Sequence, residues 1–291
     1  MSMRFWQALS FTEPEHVVPV AQIAEQVGFH GAFVSDHLFA PEKIASRYPY
    51  SADGTPPFTS ATPWPDPFVT ASAILATTTR LRVSTGVYIL PLRNPFEVAK
   101  ATGTLALLSG GRFALGAGLG WMQEEFALCG HDYKTRARRF DEMVEVMRAL
   151  WRGGMVEHHG TFYDFPRLEM SPPPPAQVPV YVGGGSDVAL RRAGRLGDGW
   201  IGAGNAPGDL PVILETIRKA RREHGREALP FETIVALTVP LDADVVRRAE
   251  DLGVTGLVSW PISYQIGPGA SLDAKRAHLE RYGNDVIAKL G

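Results

Sequence analysis

The chain has 291 residues, 45% apolar and 21% charged, with a formal net charge of −2, the profile of a soluble globular protein that buries a sizeable core. Its basic residues form no nucleic-acid or membrane surface: the densest runs, RARR at 136–139 and RKARR at 218–222, recur at helical spacing beside apolar positions and read as solvated helix faces. A single cysteine, Cys129, excludes a disulfide framework and a multi-cysteine metal site, and with no signal-peptide pattern and no apolar run of membrane-spanning length a cytoplasmic protein is expected.

Apolar β-type runs alternate with amphipathic helical stretches along the whole chain, the pattern of a parallel sheet with crossover helices. Arg4–Leu9 reads as the first strand, followed by a helix around Val17–Val27 whose end Gly28 marks. Gly31–Val34 is the second strand; a loop then runs to about Asp66, before a helix over Phe68–Thr79. Strand three is Leu81–Tyr88, after which Asn94-Pro95 supplies an N-cap and a first-turn proline for a helix that Gly110-Gly111 ends. Arg112–Leu115 is strand four, and Arg136–Trp151 is a helix with Phe140, Met143, Val144, Met147 and Trp151 on one face, a core stripe.

Beyond a long connection, Val180–Val182 is strand five, with Ser186 capping a helix that stops at Gly197. Gly199–Ile201 and Pro211–Arg222 form the sixth unit, and Glu232–Val239 and Gly256–Trp260 are the last two strands. Eight strand-helix units without a dividing linker favour one closed (β/α)8 TIM barrel across residues 1–291 over a doubly wound sheet. The tetraproline Pro172–Pro175 reads as an extended lead into strand five. Two stretches, 38–66 and 153–178, exceed ordinary loop lengths and are expected to close over a site; Tyr48, Tyr50, Phe58 and Trp64 in the first, and Phe162, Tyr163 and Phe165 in the second, argue against disorder.

A barrel gathers its functional groups where strands end at the C-terminal face. Asp36-His37 ends strand two, and three glycine-bearing stretches converge on the same rim: Thr85-Gly86-Val87, GAGLG at Gly116–Gly120 and GGGS at Gly183–Ser186. Gly86 within a strand implies a bulge or the close approach of a flat ligand. Gly183, Gly184 and Gly185 let backbone approach a ligand, and the helix that Ser186-Asp187 opens favours an anion such as phosphate; a tight turn without a ligand is the alternative. GAGLG is spaced G-x-G-x-G and lacks a following strand with a terminal acid, which discounts a dinucleotide site. Adjacent His158-His159 lack metal-ligand spacing, and no G-x-S-x-G marks a serine hydrolase.

VSDHLF with Gly28-Phe29 ahead of it, LRVSTGVYILPLRNPFEVAKATGTLALLSGGRFALGAGLGWMQEEF at 81–126, RRFDEMVEVMRALW at 138–151 and VYVGGGSDVALRRAGRLGDGWIGAG at 180–204 resemble the luciferase-like monooxygenase superfamily. Within it, the chain is most similar to the coenzyme F420-dependent oxidoreductases found mainly in actinobacteria. The likeness runs from about residue 4 to 204; the last third agrees in strand-helix pattern. The resemblance implies a deazaflavin lying across the C-terminal rim, His37 as proton donor and cofactor neighbour, and Asp36 as a cofactor contact. It places a non-proline cis peptide that supports the ring at Gly86-Val87, and a phosphate grip at Leu119-Gly120 and Gly183–Gly185.

Trp121 stands where sugar-phosphate dehydrogenases of the superfamily carry a catalytic Glu, and Pro41 where they carry a Trp, which argues against glucose-6-phosphate as substrate. Trp121, Phe39 and the aromatic loops fit a more apolar, planar molecule, while Glu124 and Glu125 remain available as bases. The expected activity is hydride transfer between coenzyme F420 and a small organic substrate, with His37 exchanging the proton. The alternatives are an FMN-dependent monooxygenase and a non-catalytic flavin- or deazaflavin-binding barrel. Relatives of this kind are often homodimers.

Overall fold

A computed structural model describes residues 2–291. Strands β1 (Arg4–Ala8), β2 (Gly31–Val34), β3 (Arg82–Thr85), β4 (Tyr88–Ile89) and β5 (Phe113–Gly118) alternate with helices α1 (Pro14–Gln26), α2 (Pro67–Thr77), α3 (Pro95–Leu108), α4 (Gln123–Leu128) and α5 (Arg136–Trp151). A two-stranded hairpin follows, β6 (Val156–His159) antiparallel to β7 (Asp164–Leu168). Then come β8 (Val180–Gly183), α6 (Asp187–Leu196), β9 (Gly199–Asn205), α7 (Leu210–Glu223), β10 (Glu232–Leu237), α8 (Ala243–Asp251), β11 (Gly256–Ser259), α9 (Ile262–Ile266) and α10 (Leu272–Tyr282).

Apart from β6 and β7, all strands are parallel, in the order β3-β2-β1-β11-β10-β9-β8-β5-β4, and pairing of β3 with β5 closes the ring. Because β3 and β4 are two halves of one strand, this is the eight-stranded TIM barrel expected. The expected third strand, Leu81–Tyr88, is broken at Gly86-Val87, whose peptide bond is cis. Val83 and Ser84 pair with Phe113 and Ala114, and the ladder resumes with Tyr88 and Ile89 against Ala117 and Gly118.

Two apolar layers hold the barrel. Inside it, Trp6, Phe33, Ala114, Tyr181, Ile201 and Ile234 form one cluster, with Val87 and Val258 packed on it. Outside, strand residues such as Phe5, Val83, Phe113 and Leu115 meet helix residues such as Ile23, Ile74, Phe140 and Met147, all nearly inaccessible. Each such side chain contributes about 1.5–3 kcal/mol by leaving water. Helices start where the sequence places caps: Asp66 Oδ1 accepts from Phe68 N and Val69 N at 2.9 Å ahead of Pro67, and Asn94 Oδ1 accepts from Phe96 N at 2.9 Å ahead of Pro95. Helix α1 starts at Pro14, earlier than the periodicity places it, because that proline occupies its first turn.

The expectation that both long connections cover a site holds for one of them. Residues 38–66 lie at the rim where β2 ends, but residues 153–178 lie along helices α3 and α5. There Phe165 packs edge-on to Phe96 at 5.0 Å, Lys100 Nζ donates to Ser171 O, and Glu142 on α5 accepts from Phe162 N at 3.0 Å and Tyr163 N at 2.8 Å. This segment follows an outer helix, so it starts at the end of the barrel opposite the strand C-termini.

Candidate active site

Strand β2 delivers Asp36 and His37 to the rim, and their side chains take different surroundings. Asp36 Oδ2 accepts from Ile89 N at 2.8 Å and Oδ1 from Arg93 Nη2 at 2.7 Å, leaving the side chain 1% exposed. Burial pushes its carboxyl above the ordinary carboxylate range, and Arg93 and the Ile89 N–H offset this only in part. The expected cofactor contact at Asp36 thus falls on a buried carboxyl that already accepts from two protein donors. Its oxygens are committed to protein donors, and it ties the end of β2 to β4 just past Gly86-Val87.

His37 faces the other way. Its Nδ1 donates to Glu125 Oε2 at 3.0 Å, while Glu125 Oε1 accepts from Leu38 N at 2.8 Å. Glu125 stands on the first turn of α4 and is fully buried, so both its oxygens serve to fix the Asp36–Leu38 turn and the imidazole. A carboxylate at Nδ1 selects the tautomer that leaves the lone pair on Nε2, the arrangement of an oriented acid-base histidine. Nε2 makes no hydrogen bond among the described residues.

Aromatic rings surround this imidazole. Phe58 and Trp64 from the long rim loop lie 5.0 and 4.9 Å from it between centroids, and Trp121 from the turn after β5 lies at 6.0 Å, edge-on. Tyr48 packs edge-on to Trp121 at 5.2 Å. Glu124, the neighbour of Glu125, anchors the loop: it accepts from Ala45 N at 2.7 Å, Ser46 N at 3.0 Å and Ser46 Oγ at 2.7 Å. These hydrogen bonds hold its carboxyl below the usual range against the opposing effect of burial. Of the two glutamates retained as possible bases, Glu125 touches His37 and Glu124 holds the loop.

The predicted glycines define the ground beside the dyad. Strand β5 extends through Gly116 and Gly118, so only Leu119 and Gly120 of the GAGLG stretch form a turn. The reason is steric: a Cβ on Gly116 would lie 1.8 Å from Thr85 O, and one on Gly118 would lie 2.6 Å from Val87 Cγ2. On β8, the strand that pairs with β5, a Cβ on Gly183 would lie 2.7 Å from Val87 Cγ1. Glycines on β5 and β8 therefore make the space into which Gly86-Val87 protrudes. Gly120 and Gly184 have φ of +77° and +122°, and Gly185 opens onto free space next to the Ser186-capped start of α6. A flat ring with a phosphate-bearing arm fits this set: a half-buried Val87 ledge, flanking backbone without side chains, and an open glycine turn at a helix start. The structure brings His37, Gly86, Val87, Leu119, Gly120, Gly183, Gly184 and Gly185 to one rim and turns Asp36 away from it.

Sequence reasoning did not find Arg93 as the partner of Asp36, or Ser46, whose Oγ also accepts from Gln123 N at 2.9 Å. Two acids at the start of a short helix were the available signal for Glu124 and Glu125.

The chain matches the luciferase-like monooxygenase family over residues 3–286. It is 38% identical over 290 residues to the uncharacterized protein Rv0940c of Mycobacterium tuberculosis, covering 99% of this chain and 100% of that protein. Over 268 residues it is 29% identical to the F420-dependent glucose-6-phosphate dehydrogenase of Beutenbergia cavernae, covering 90% of this chain and 75% of the relative. In architecture it is similar to monooxygenase RslO1 from Streptomyces bottropensis, with a TM-score of 0.78 at 18% identity over 99% of this chain and 100% of that one. A barrel with its Asp-His turn, broken third strand and glycine-rich rim, matched over nearly its whole length, belongs to the luciferase-like monooxygenase family.

Proposed function

We propose that the protein is an oxidoreductase that uses coenzyme F420 for hydride transfer to or from a small organic substrate. The observation that carries this reading is the His37–Glu125 pair, buried on one side and set at the rim beside the Val87 ledge. Gly86 and Val87 would underlie the flat ring, and Leu119, Gly120, Gly183, Gly184 and Gly185 would hold the phosphate. When bound, the deazaflavin supplies or takes up the hydride. The residues of the chain handle the proton. In alcohol oxidation His37 Nε2 takes it from the substrate hydroxyl as the C–H leaves as hydride; in carbonyl reduction the imidazolium returns it to the oxygen as the carbon gains the hydride. Glu125 keeps the ring oriented for both, and the aromatic loop keeps water from it.

Of the relatives described above, the dehydrogenase of B. cavernae supports F420, whereas the likeness to RslO1 concerns architecture alone. Parallel equilibrium titration of the purified protein with F420 and FMN tests the cofactor: tight F420 and weak FMN binding is expected, and the reverse would move the reading to a flavin monooxygenase. His37→Ala is expected to bind F420 normally and to lose about 10²–10⁴-fold in kcat on any substrate the enzyme turns over. Full turnover in that variant would remove His37 from the mechanism.

A further inference from the structure

We infer that the substrate is an uncharged molecule whose reacting carbonyl or alcohol carbon is attached to a flat aromatic ring, an inference that rests on the hydride-transfer reading above. The surroundings of His37 lead to it by two routes.

The first is electrostatic. The charged groups in contact with His37 or next to those contacts have partners: Glu125 with His37 and Leu38 N, Glu124 with Ala45 and Ser46, and Asp36 with Arg93. Arg47, on the loop that carries the cage, turns its Nη2 back to Ala52 O at 2.8 Å. An anionic substrate would therefore shed its water among Phe58, Trp64 and Trp121 and, apart from His37 itself when protonated, meet no free cation among these groups. The buried carboxylate of Glu125 would further repel it.

The second is shape and polarity. Trp64 and Trp121 stand edge-on to the imidazole at 70° and 83°, and Phe58 is tilted at 46°. A ring entering among them gains the offset and edge-to-face contacts that aromatic pairs prefer and that a puckered aliphatic ring lacks. Trp64 Nε1 is buried without a hydrogen-bond partner among the described residues.

Three probes separate these routes: 2-acetonaphthone, neutral and flat; 2-naphthoate, flat and anionic; and cyclohexyl methyl ketone, neutral and puckered. Each is titrated calorimetrically into the full chain, with and without F420. The ketone of naphthalene is expected to bind about tenfold or more tightly than the other two, and Trp121→Leu to remove most of that advantage while leaving cyclohexyl methyl ketone unchanged. Phe58→Leu reads the same wall should Trp121→Leu not fold. Naphthoate binding as tightly as acetonaphthone, equal binding of the two ketones, or no binding of acetonaphthone would overturn the inference. The F420 titration is read separately: weak F420 binding with the probe ranking intact would remove the hydride-transfer reading and leave the preference for a neutral aromatic molecule standing, whereas tight F420 binding with the ranking lost would do the opposite.

Discussion

The two long connections of the barrel are alike in length and aromatic content, and each is held by one carboxylate from a neighbouring helix, yet they lie in different places. Glu124 grips Ala45 and Ser46 in the first, and Glu142 grips Thr161, Phe162 and Tyr163 in the second. The first joins a strand to a helix, so it emerges at the C-terminal rim and folds its rings over His37. The second joins a helix to a strand, so it begins at the opposite end and lies as a brace along α3 and α5. Which kind of connection a long loop belongs to, more than its composition, decides whether it covers the chemistry. The neighbouring glutamates on α4 show how closely the rim loop is joined to the site: one holds the loop and the next holds the histidine.

The sharpest way to break the comparison is Glu125→Gln, which keeps the side-chain volume and an acceptor for Leu38 N but withdraws the charge facing His37 Nδ1. We expect kcat to fall by about 10²–10³-fold with a displaced pH–rate profile and nearly unchanged F420 affinity. Glu142→Gln on the brace is expected to leave kcat and its pH profile alone. Equal effects of the two substitutions would mean that the His37–Glu125 contact does not serve the proton.

The loop anchors come next in size. Glu142→Ala strips the acceptor from the 160–163 turn and is expected to lower stability by about 1–3 kcal/mol in urea unfolding with kcat intact. Glu124→Ala is expected to do less to global stability and to raise KM several-fold, about 0.5–1 kcal/mol of binding, because the rings over His37 lose their tether. A KM change from Glu142→Ala, or none from Glu124→Ala, would erase the distinction between cover and brace.

Much of this was legible in the sequence, for reasons that differ by region. The alternation of apolar runs and amphipathic stretches gave the barrel, and caps such as Asn94 and Ser186 placed helix starts, because both signals are local. The break in the third strand has no periodic signature, since Arg82–Ile89 alternates like a continuous strand; Gly86 signalled a bulge or close approach there, and the resemblance to known proteins placed the cis peptide at Gly86-Val87. Gly116 and Gly118 looked like turn residues although they lie inside β5, because the force selecting glycine there is the Thr85 carbonyl and Val87 on a neighbouring strand. Strands β6 and β7 escaped detection because half of their residues face solvent and the runs carry Glu157, His158 and His159 in place of an apolar alternation. The His37–Glu125 pair joins residues 88 positions apart, a contact that only the closed barrel creates.

The last expected effect belongs to neither insertion. His30, just ahead of β2, packs edge-on to Trp6 at 5.3 Å, and its Nε2 is buried without a partner among the described residues. Burial, with the positive charges of Arg4 and Arg82, pushes its pKa down from 6.5 to about 4. As the pH falls below about 6.5 the unfolded chain takes up this proton while the folded one does not. The stability His30 contributes is therefore complete above that pH and is lost as the pH falls through 4. Urea midpoints measured between neutral pH and the acid limit should decline less steeply in His30→Phe than in the wild type. An identical decline in His30→Phe would assign the acid sensitivity to other groups.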